Sequence, residues 1–308
     1  MRMKIENVYD FIRDEKLGGV FLNEPLSLYT TWRIGGRADL LYQPENAGDC
    51  ARVLALAGRE DVPVHFLGFG SNVLIADEGL RGLVIHTKRL NMIKTEGKKI
   101  TAGAGVPLAG LSQQAAAKGL SGLEFACGIP GSVGGAVIMN AGAYGSSMSA
   151  VVTRATTLSK TGERREYGNA EMRFGYRTSC LKNKGELVVE VEIDLPEGDA
   201  EESRRRMEEY LRLRKEKHPL HLPSAGSVFR NPPGSPAGCL IETAGMKGRR
   251  VGDAQVSEQH ANFIVNLGEA KAAEVIKLIE EVQKEVYRKN SIWLETEVVL
   301  LGFDDRRR

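Results

Sequence analysis

Cysteine is scarce in this 308-residue sequence: Cys50, Cys127, Cys180 and Cys239 are all it has. They stand far apart and none belongs to a C-x-x-C pair, which argues against a structural zinc site and against a disulfide framework. Four reduced, mostly buried thiols are expected. His218 and His221 have a ligand-like spacing, but prolines flank them and no thiol or acid pair is close, so no metal is expected. No apolar run approaches the length of a membrane span. The opening MRMKIENVYDFIRDEKL mixes acids with apolar residues and does not read as a signal peptide. A net charge of +2 leaves no surplus for a nucleic-acid or membrane surface. A cytoplasmic protein is the expectation, with neither nucleic acid nor membrane as partner.

What remains is an ordinary globular composition, 42% hydrophobic and 27% charged, long enough for two domains or a little more. AGDCARVLALAGRED (47–61) has helical periodicity, and VPVHFLG and GLVIHT read as strands around a turn-rich FGSN. A strand pair and a helix, PLAGLSQQAAAKG, open the middle third, with proline at the first turn. VVTRATTL and the alternating ELVVEVEIDL read as strands. PEGDAEESRRRMEEYLRLRKEKHP (196–219) is a boundary: a turn, a charged helix, then a stop at proline. Glutamates among its arginines make it a solvated helix rather than an RNA patch. The last third holds a strand ANFIVN, an amphipathic helix over about 270–289, a strand SIWLETEVVLLG, and a tail, Arg306 to Arg308, expected to fray.

Two glycine-rich loops carry the first hint of function. In FLGFGSNVLIADEG, Gly68 and Gly70 follow a strand as in a dinucleotide fingerprint, but the third glycine position is Val73, so the Rossmann pattern fails. No G-K-[ST] occurs, so a Walker loop fails as well. Gly68, Phe69, Gly70, Ser71 and Asn72 still offer successive N–H donors, a hydroxyl and an amide, a nest suited to a pyrophosphate. The second loop, GIPGSVGGAVIMNAGAYG (128–145), has no charged side chain. It can supply further N–H donors and lets a flat ligand lie on bare backbone, with Val133, Ala136, Val137, Ile138 and Met139 packing a strand or buried turn behind it. Together the loops suggest a non-Rossmann site for a dinucleotide with an aromatic head, flavin being the sensible guess.

TTWRIGGRADLLYQP, LGFGSNVLIAD, GIPGSVGGAVIMNAGAYG, FGYRTS, SAGSVFRNP, GDAQVSEQHANFIVN and LETEVVLLG follow in that order. In series they resemble the UDP-N-acetylenolpyruvoylglucosamine reductase family over nearly the whole chain. The resemblance implies an α+β chain of the vanillyl-alcohol-oxidase/PCMH-type FAD-binding fold. Residues 1–88 and 89–198 would be the two FAD-binding subdomains and 199–308 a C-terminal α+β substrate-binding domain, its last residues packing back on the first subdomain. It implies that Gly68, Phe69, Gly70, Ser71, Asn72, Val73 and Leu74 hold the FAD pyrophosphate. Gly128, Ile129, Pro130, Gly131, Ser132, Gly135, Ala136, Asn140 and Gly142 would lie along the flavin end, and Gly35 and Gly36 would shape the mouth of the site. Relatives that attach flavin covalently often use a histidine in the first loop; GFGSN has none, so noncovalent FAD is expected. The span from Ser227 to Glu297 is similar to that of the shorter subclass lacking a tyrosine-bearing insertion, and Tyr144 is the candidate replacement for that tyrosine.

The implied reaction uses NADPH and FAD to reduce the enolpyruvyl ether of a UDP-sugar to a lactyl ether, giving UDP-N-acetylmuramate for peptidoglycan. The resemblance gives three catalytic residues. Arg177, in FGYRTS, can fork onto a carboxylate, with Phe174 and Tyr176 favouring a packed position. Ser227 would be the proton donor, with small Ala225 and Gly226 allowing close approach to the flavin. Glu297, read on an alternating strand that puts Trp293, Glu295, Val299 and Leu301 on its face, would be desolvated and bond the developing enolate as a neutral acid. Asn231 matches a substrate-binding position, and Lys217 and His260 are candidates for the UDP and sugar regions. The alternatives are another noncovalent FAD oxidoreductase of this fold acting on an alcohol or sugar, against which SAGSVFRNP and the Glu297 segment speak, and a nucleotide-binding scaffold without chemistry.

Overall fold

The computed structural model describes residues 2–303; the Arg306–Arg308 tail lies outside them. The chain forms two units and crosses between them repeatedly. One comprises Met1–Asn23, Asp39–Phe69 and Gly82–Arg214; the other comprises Glu24–Ala38, Gly70–Arg81 and Lys215–Arg308.

Among the described residues the first unit has two large apolar cores and a small third cluster of Ala116, Cys127 and Met207. Its smaller sheet runs in the order Gly18–Pro25, Arg37–Pro44, Leu80–His86, Val64–Leu67, the last two parallel with Val64 opposite Leu83. Helices Arg2–Asp14 and Ala47–Arg59 pack on it through Val8, Ile12, Val53 and Leu54. Asn46 starts the second of these by accepting the Asp49 N–H at 2.9 Å. The larger sheet is antiparallel, ordered Arg164–Gly168, Val152–Leu158, Leu187–Asp194, Lys99–Gly103, Ile93–Glu96. Alternation along its central strand sends Leu187 and Val189 into the first core and Val188 into the second, so one sheet separates the two. The helix after the strand pair is Leu108–Ala117; Pro107 stands just ahead of it as the capping residue rather than in its first turn.

The second unit is built on an antiparallel sheet, Ser224–Ser227, Phe263–Asn266, Ala254–Val256, Arg250–Val251. Helix Ala272–Asn290 covers it with Val275, Ile276, Leu278, Ile279, Val282 and Val286, the stripe that a period of 3.6 produces. Its first N–H groups, of Ala272 and Ala273, are taken by the Asp77 carboxylate at 2.9 and 3.0 Å, a cap supplied from far away in sequence. Trp32, Ile34 and Leu74 complete this core. A short parallel pair, Val299–Leu301 with Val73–Ile75, closes the unit.

Candidate active site

The residues expected to pack a strand or buried turn behind the second loop form a helix instead. Val133–Ile138 is a short α-helix capped by Ser132, whose Oγ accepts the Gly135 N–H at 3.3 Å. Some N–H groups of the stretch are already taken within the protein. Val133 N donates to Val106 O and Gly134 N to Ala104 O, both at 2.9 Å, and Ala136 N donates to Ser132 O. The backbone's close neighbour at these positions is largely the protein itself. Asn140 follows the helix with φ 43, a left-handed position that asparagine tolerates. Its Nδ2 donates to Gly175 O at 2.9 Å and its Oδ1 accepts the Ser149 N–H at 2.9 Å.

That asparagine ties the second loop to the arginine turn. Gly175 and Thr178 exchange backbone hydrogen bonds at 3.0 and 3.3 Å, so Tyr176 and Arg177 form a two-residue turn with Arg177 at φ 55. Ser179 Oγ donates to Ile138 O at 2.8 Å and fixes the other side. Phe174 packs on the core below, while Tyr176 is exposed with the Arg177 guanidinium 5.2 Å from its ring centre. Arg177, Asn140, Gly142 and Tyr144 line a cavity of about 360 Å³. Tyr144, at φ 52 in the Tyr144–Gly145 turn, stacks on Tyr210 with ring centres 3.9 Å apart.

The two glycine loops meet at one point: a Cβ on Gly68 would stand 2.6 Å from Ser132 Oγ. Behind Gly68 lies a buried pair that the sequence reading missed. Gln43 Nε2 is 3.0 Å from His86 Nδ1, and the His86 ring donates its other N–H to the Gly68 carbonyl. Burial, then Lys88, push His86 down to about 4, only partly offset by the Gly68 bond, so the ring is neutral. The chain leaves the first unit at Phe69 and enters the second at Gly70. Gly35 and Gly36 lie beside the segment after this loop, Gly36 N donating to Ala76 O at 2.9 Å.

In the second unit, Ser227 and Glu297 come together from distant segments. Strand Ser224–Ser227 pairs Ser224 with Val265 and Ser227 with Phe263, three steps against two, so it bulges between them. Gly226 makes the bulge at φ +76. Ala225 is buried in the core. Asn262 grips the next residues, with Oδ1 accepting Phe229 N at 2.9 Å and Nδ2 donating to Phe229 O at 2.8 Å. Thr31 Oγ1 donates to Ser224 O at 2.7 Å, and Trp32 Nε1 to Ile264 O at 2.9 Å.

Glu297 is not on a strand; only Val299–Leu301 is. The expected shared face also fails: Trp293 is 54% exposed, whereas Leu294 and Val298 enter the core. A bridge between Phe229 and Thr296 interrupts the alternation. Glu297 N donates to Val228 O at 2.7 Å, which sets it beside Ser227. Asn72 Nδ2 donates to Glu297 O at 3.3 Å, and Asn72 O accepts Val299 N at 3.0 Å. The first glycine loop therefore carries the Glu297 segment, and the Asn72 amide serves that contact.

The three substrate candidates lie apart in role. Asn231 is exposed and its Oδ1 accepts the Ala237 N–H at 2.9 Å, at the start of helix Ala237–Thr243. Lys217 is exposed at the end of helix Ala200–Lys217. His260 is half-buried against His218 and Phe263, and burial lowers its pKa from the ordinary value. Its Nδ1 accepts the Asn262 N–H at 3.2 Å, tying it to the serine segment.

The two glycine loops approach closely at Gly68, and Arg177 places a cation on the wall of the cavity, where an anionic group could bind. Fold and matched domain define an α+β protein that carries an FAD-binding domain. Residues 38–168 match the family described as FAD binding domain, and residues 218–301 match the C-terminal domain of UDP-N-acetylenolpyruvoylglucosamine reductase. The UDP-N-acetylenolpyruvoylglucosamine reductase of Moorella thermoacetica is 48% identical over 283 residues, 92% of this chain and 93% of that protein. That of Heliobacterium modesticaldum is 48% identical over 281 residues, 91% of this chain and 90% of its own. A crystal structure of the Thermus caldophilus reductase matches with a TM-score of 0.80 at 40% identity, over 92% of this chain and 98% of that one. The chain belongs to the UDP-N-acetylenolpyruvoylglucosamine reductase family.

Proposed function

We infer that this chain reduces the enolpyruvyl ether of UDP-N-acetylglucosamine enolpyruvate to UDP-N-acetylmuramate in bacterial peptidoglycan synthesis, with FAD as cofactor and NADPH as reductant. Among the geometric observations, the one that carries this reading is the Glu297 N to Val228 O bond, which joins the acid to the serine segment while Asn72 of the glycine loop holds the acid's carbonyl.

Bound FAD would supply the hydride-transfer chemistry between NADPH and the vinyl ether. Gly68 to Leu74 would hold its diphosphate, and the 128–142 segment its ring, with Gly35 and Gly36 at the mouth. Arg177 would fork onto the substrate carboxylate, into which negative charge spreads as the adjacent carbon becomes nucleophilic. Glu297, as a neutral acid, would donate a hydrogen bond to that developing enolate. Ser227 Oγ–H would deliver the proton to carbon. A hydroxyl is a weak acid, so the resulting alkoxide must be reprotonated promptly. Asn231, Lys217 and His260 are proposed for the UDP-sugar.

The histidine-free Gly68–Leu74 loop supports noncovalent FAD. We assign the chain to the shorter subclass on the short span between Ser227 and Glu297, and propose a cytoplasmic monomer. Among the described residues no helix is long and apolar enough to cross a membrane. We propose the functional division 1–88, 89–198 and 199–308, although packing groups Glu24–Ala38 and Gly70–Arg81 with the C-terminal segment and residues 199–214 with the first unit; pairing of Val299–Leu301 with Val73–Ile75 supports the return of the last residues to the first segment. Stopped-flow absorbance tests the function directly. NADPH should bleach the bound flavin and the enolpyruvyl substrate should restore its colour; oxygen-dependent turnover of alcohols without that recovery would refute the reading.

A further inference from the structure

One cation on the charged helix Ala200–Lys217 differs from its neighbours. Arg204 and Arg206 are exposed and pair with Glu201 and Glu202. Met207, Tyr210, Leu211 and Arg214 instead recur at i, i+3, i+4 and i+7 and form one face. That face meets the chain around residues 127–145. Cys127 Sγ donates to Met207 O at 3.7 Å, and Tyr144 Oη donates to Tyr210 O at 2.7 Å. A Cβ on Gly128 would lie 2.8 Å from Arg214 Cδ and 3.6 Å from its Nε. The glycine that opens the second loop thus stands where the arginine's stem crosses the backbone.

Burial pulls the Arg214 guanidinium below its ordinary value, opposed only by the Tyr144 hydroxyl and the Cys127 thiol. Both are neutral near pH 7, and among the described residues no Asp or Glu pairs with Arg214. A guanidinium keeps its proton even when desolvated, so a full charge is held here without a protein counter-charge. Arg214 does not line the cavity that contains Arg177. It approaches the Gly128 loop from the helix side, which separates it from the substrate carboxylate that Arg177 would take.

We propose that Arg214 is the counter-charge for an anionic group of bound FAD, either its diphosphate or its redox-active ring. This rests on the reading of the chain as an FAD-dependent reductase. A guanidinium can fork onto phosphate oxygens, and it equally stabilises negative charge gained by a ring on reduction.

The test compares the parent with Arg214→Met, which keeps a long apolar stem, and Arg214→Lys, which keeps the charge. Apoprotein melting, FAD titration and the midpoint potential of the holoprotein are measured for each. Arg214→Met apoprotein should melt no lower than the parent, because a desolvated charge has been removed. Its FAD affinity should fall at least tenfold, or its potential should become more negative by about 30 mV, a tenfold change for two electrons. Arg214→Lys should recover most of either effect. Lost affinity at unchanged potential assigns the diphosphate; a shifted potential at unchanged oxidised-FAD affinity assigns the ring. Affinity and potential both within twofold of the parent, or an effect that Arg214→Lys shares in full, would overturn the proposal. So would apoprotein melting well below the parent or a failure to fold in Arg214→Met, because Arg214 would then be a structural cation. A parent that takes up no FAD would instead reject the functional reading on which the proposal stands.

Discussion

Gly226→Ala probes whether the bulge in strand Ser224–Ser227 aims the serine. The glycine sits at φ +76, and a Cβ there would meet nothing within 4 Å. No clash contributes, so the whole penalty is the left-handed backbone of an L-residue, about 1–2 kcal/mol. That predicts a fall in Tm of the order of 5 °C. The chain has one way to escape: it can flatten the bulge and restore one-to-one pairing with Phe263–Asn266. A one-residue slip sends each following side chain to the opposite face of the sheet, so Ser227 would leave Glu297. The two measurements are therefore linked. A variant that keeps the bulge loses stability and retains substrate-driven flavin reoxidation. A variant that flattens it regains stability and loses reoxidation, while NADPH-driven bleaching continues in both. Gly226→Asn, which tolerates the left-handed region better, should fall between parent and alanine. Parental melting together with parental reoxidation in Gly226→Ala would show that the bulge neither strains the strand nor positions the serine.

Ser227→Ala should leave NADPH bleaching nearly intact and slow reoxidation by about 10²–10⁴-fold, the usual loss for a general acid; equal reoxidation rates would remove Ser227 as donor. Asn262→Ala strips two hydrogen bonds from the Phe229 backbone and should destabilise by about 2–4 kcal/mol, read from urea unfolding; a change under half that would mean the segment holds itself. His86 has its folded pKa depressed from 6.5 to about 4, so the unfolded chain binds the proton first. Stability is then fully present above pH 6.5 and falls as pH drops towards 4, by about 3 kcal/mol from this ring. His86→Gln should flatten that slope, and an unchanged slope would assign the acid sensitivity elsewhere. Acid or heat denaturation should release all the flavin into the supernatant, and flavin retained on the precipitate would contradict noncovalent attachment.

Local chemistry determined the parts of this protein that can be read one segment at a time. Period marked helices Ala47–Arg59 and Ala272–Asn290, alternation marked Leu187–Asp194, and the ordered motifs identified the family. Where the sequence reading failed, a distant partner decided the outcome. Alternation around Glu297 was broken by the bridge to Phe229 and the bond to Val228, because backbone groups must be satisfied by whatever strand lies beside them. The 128–145 stretch looked like a ligand-facing loop, yet residues 104–106 took two of its N–H groups. Asn72, Asn140 and Asn262 have side chains short enough to bond a backbone at many points, and nothing near them in sequence says which. Gln43 and His86 read as unremarkable strand residues until burial brought them together behind Gly68. Arg214 is one arginine among several on a charged helix, and only packing distinguished it, by placing its stem on Gly128 and partly burying its charge. Short-range periodicity is written into the chain, whereas hydrogen-bond partners, desolvation and the direction of a side chain at a bulge exist only once remote segments have been packed against each other.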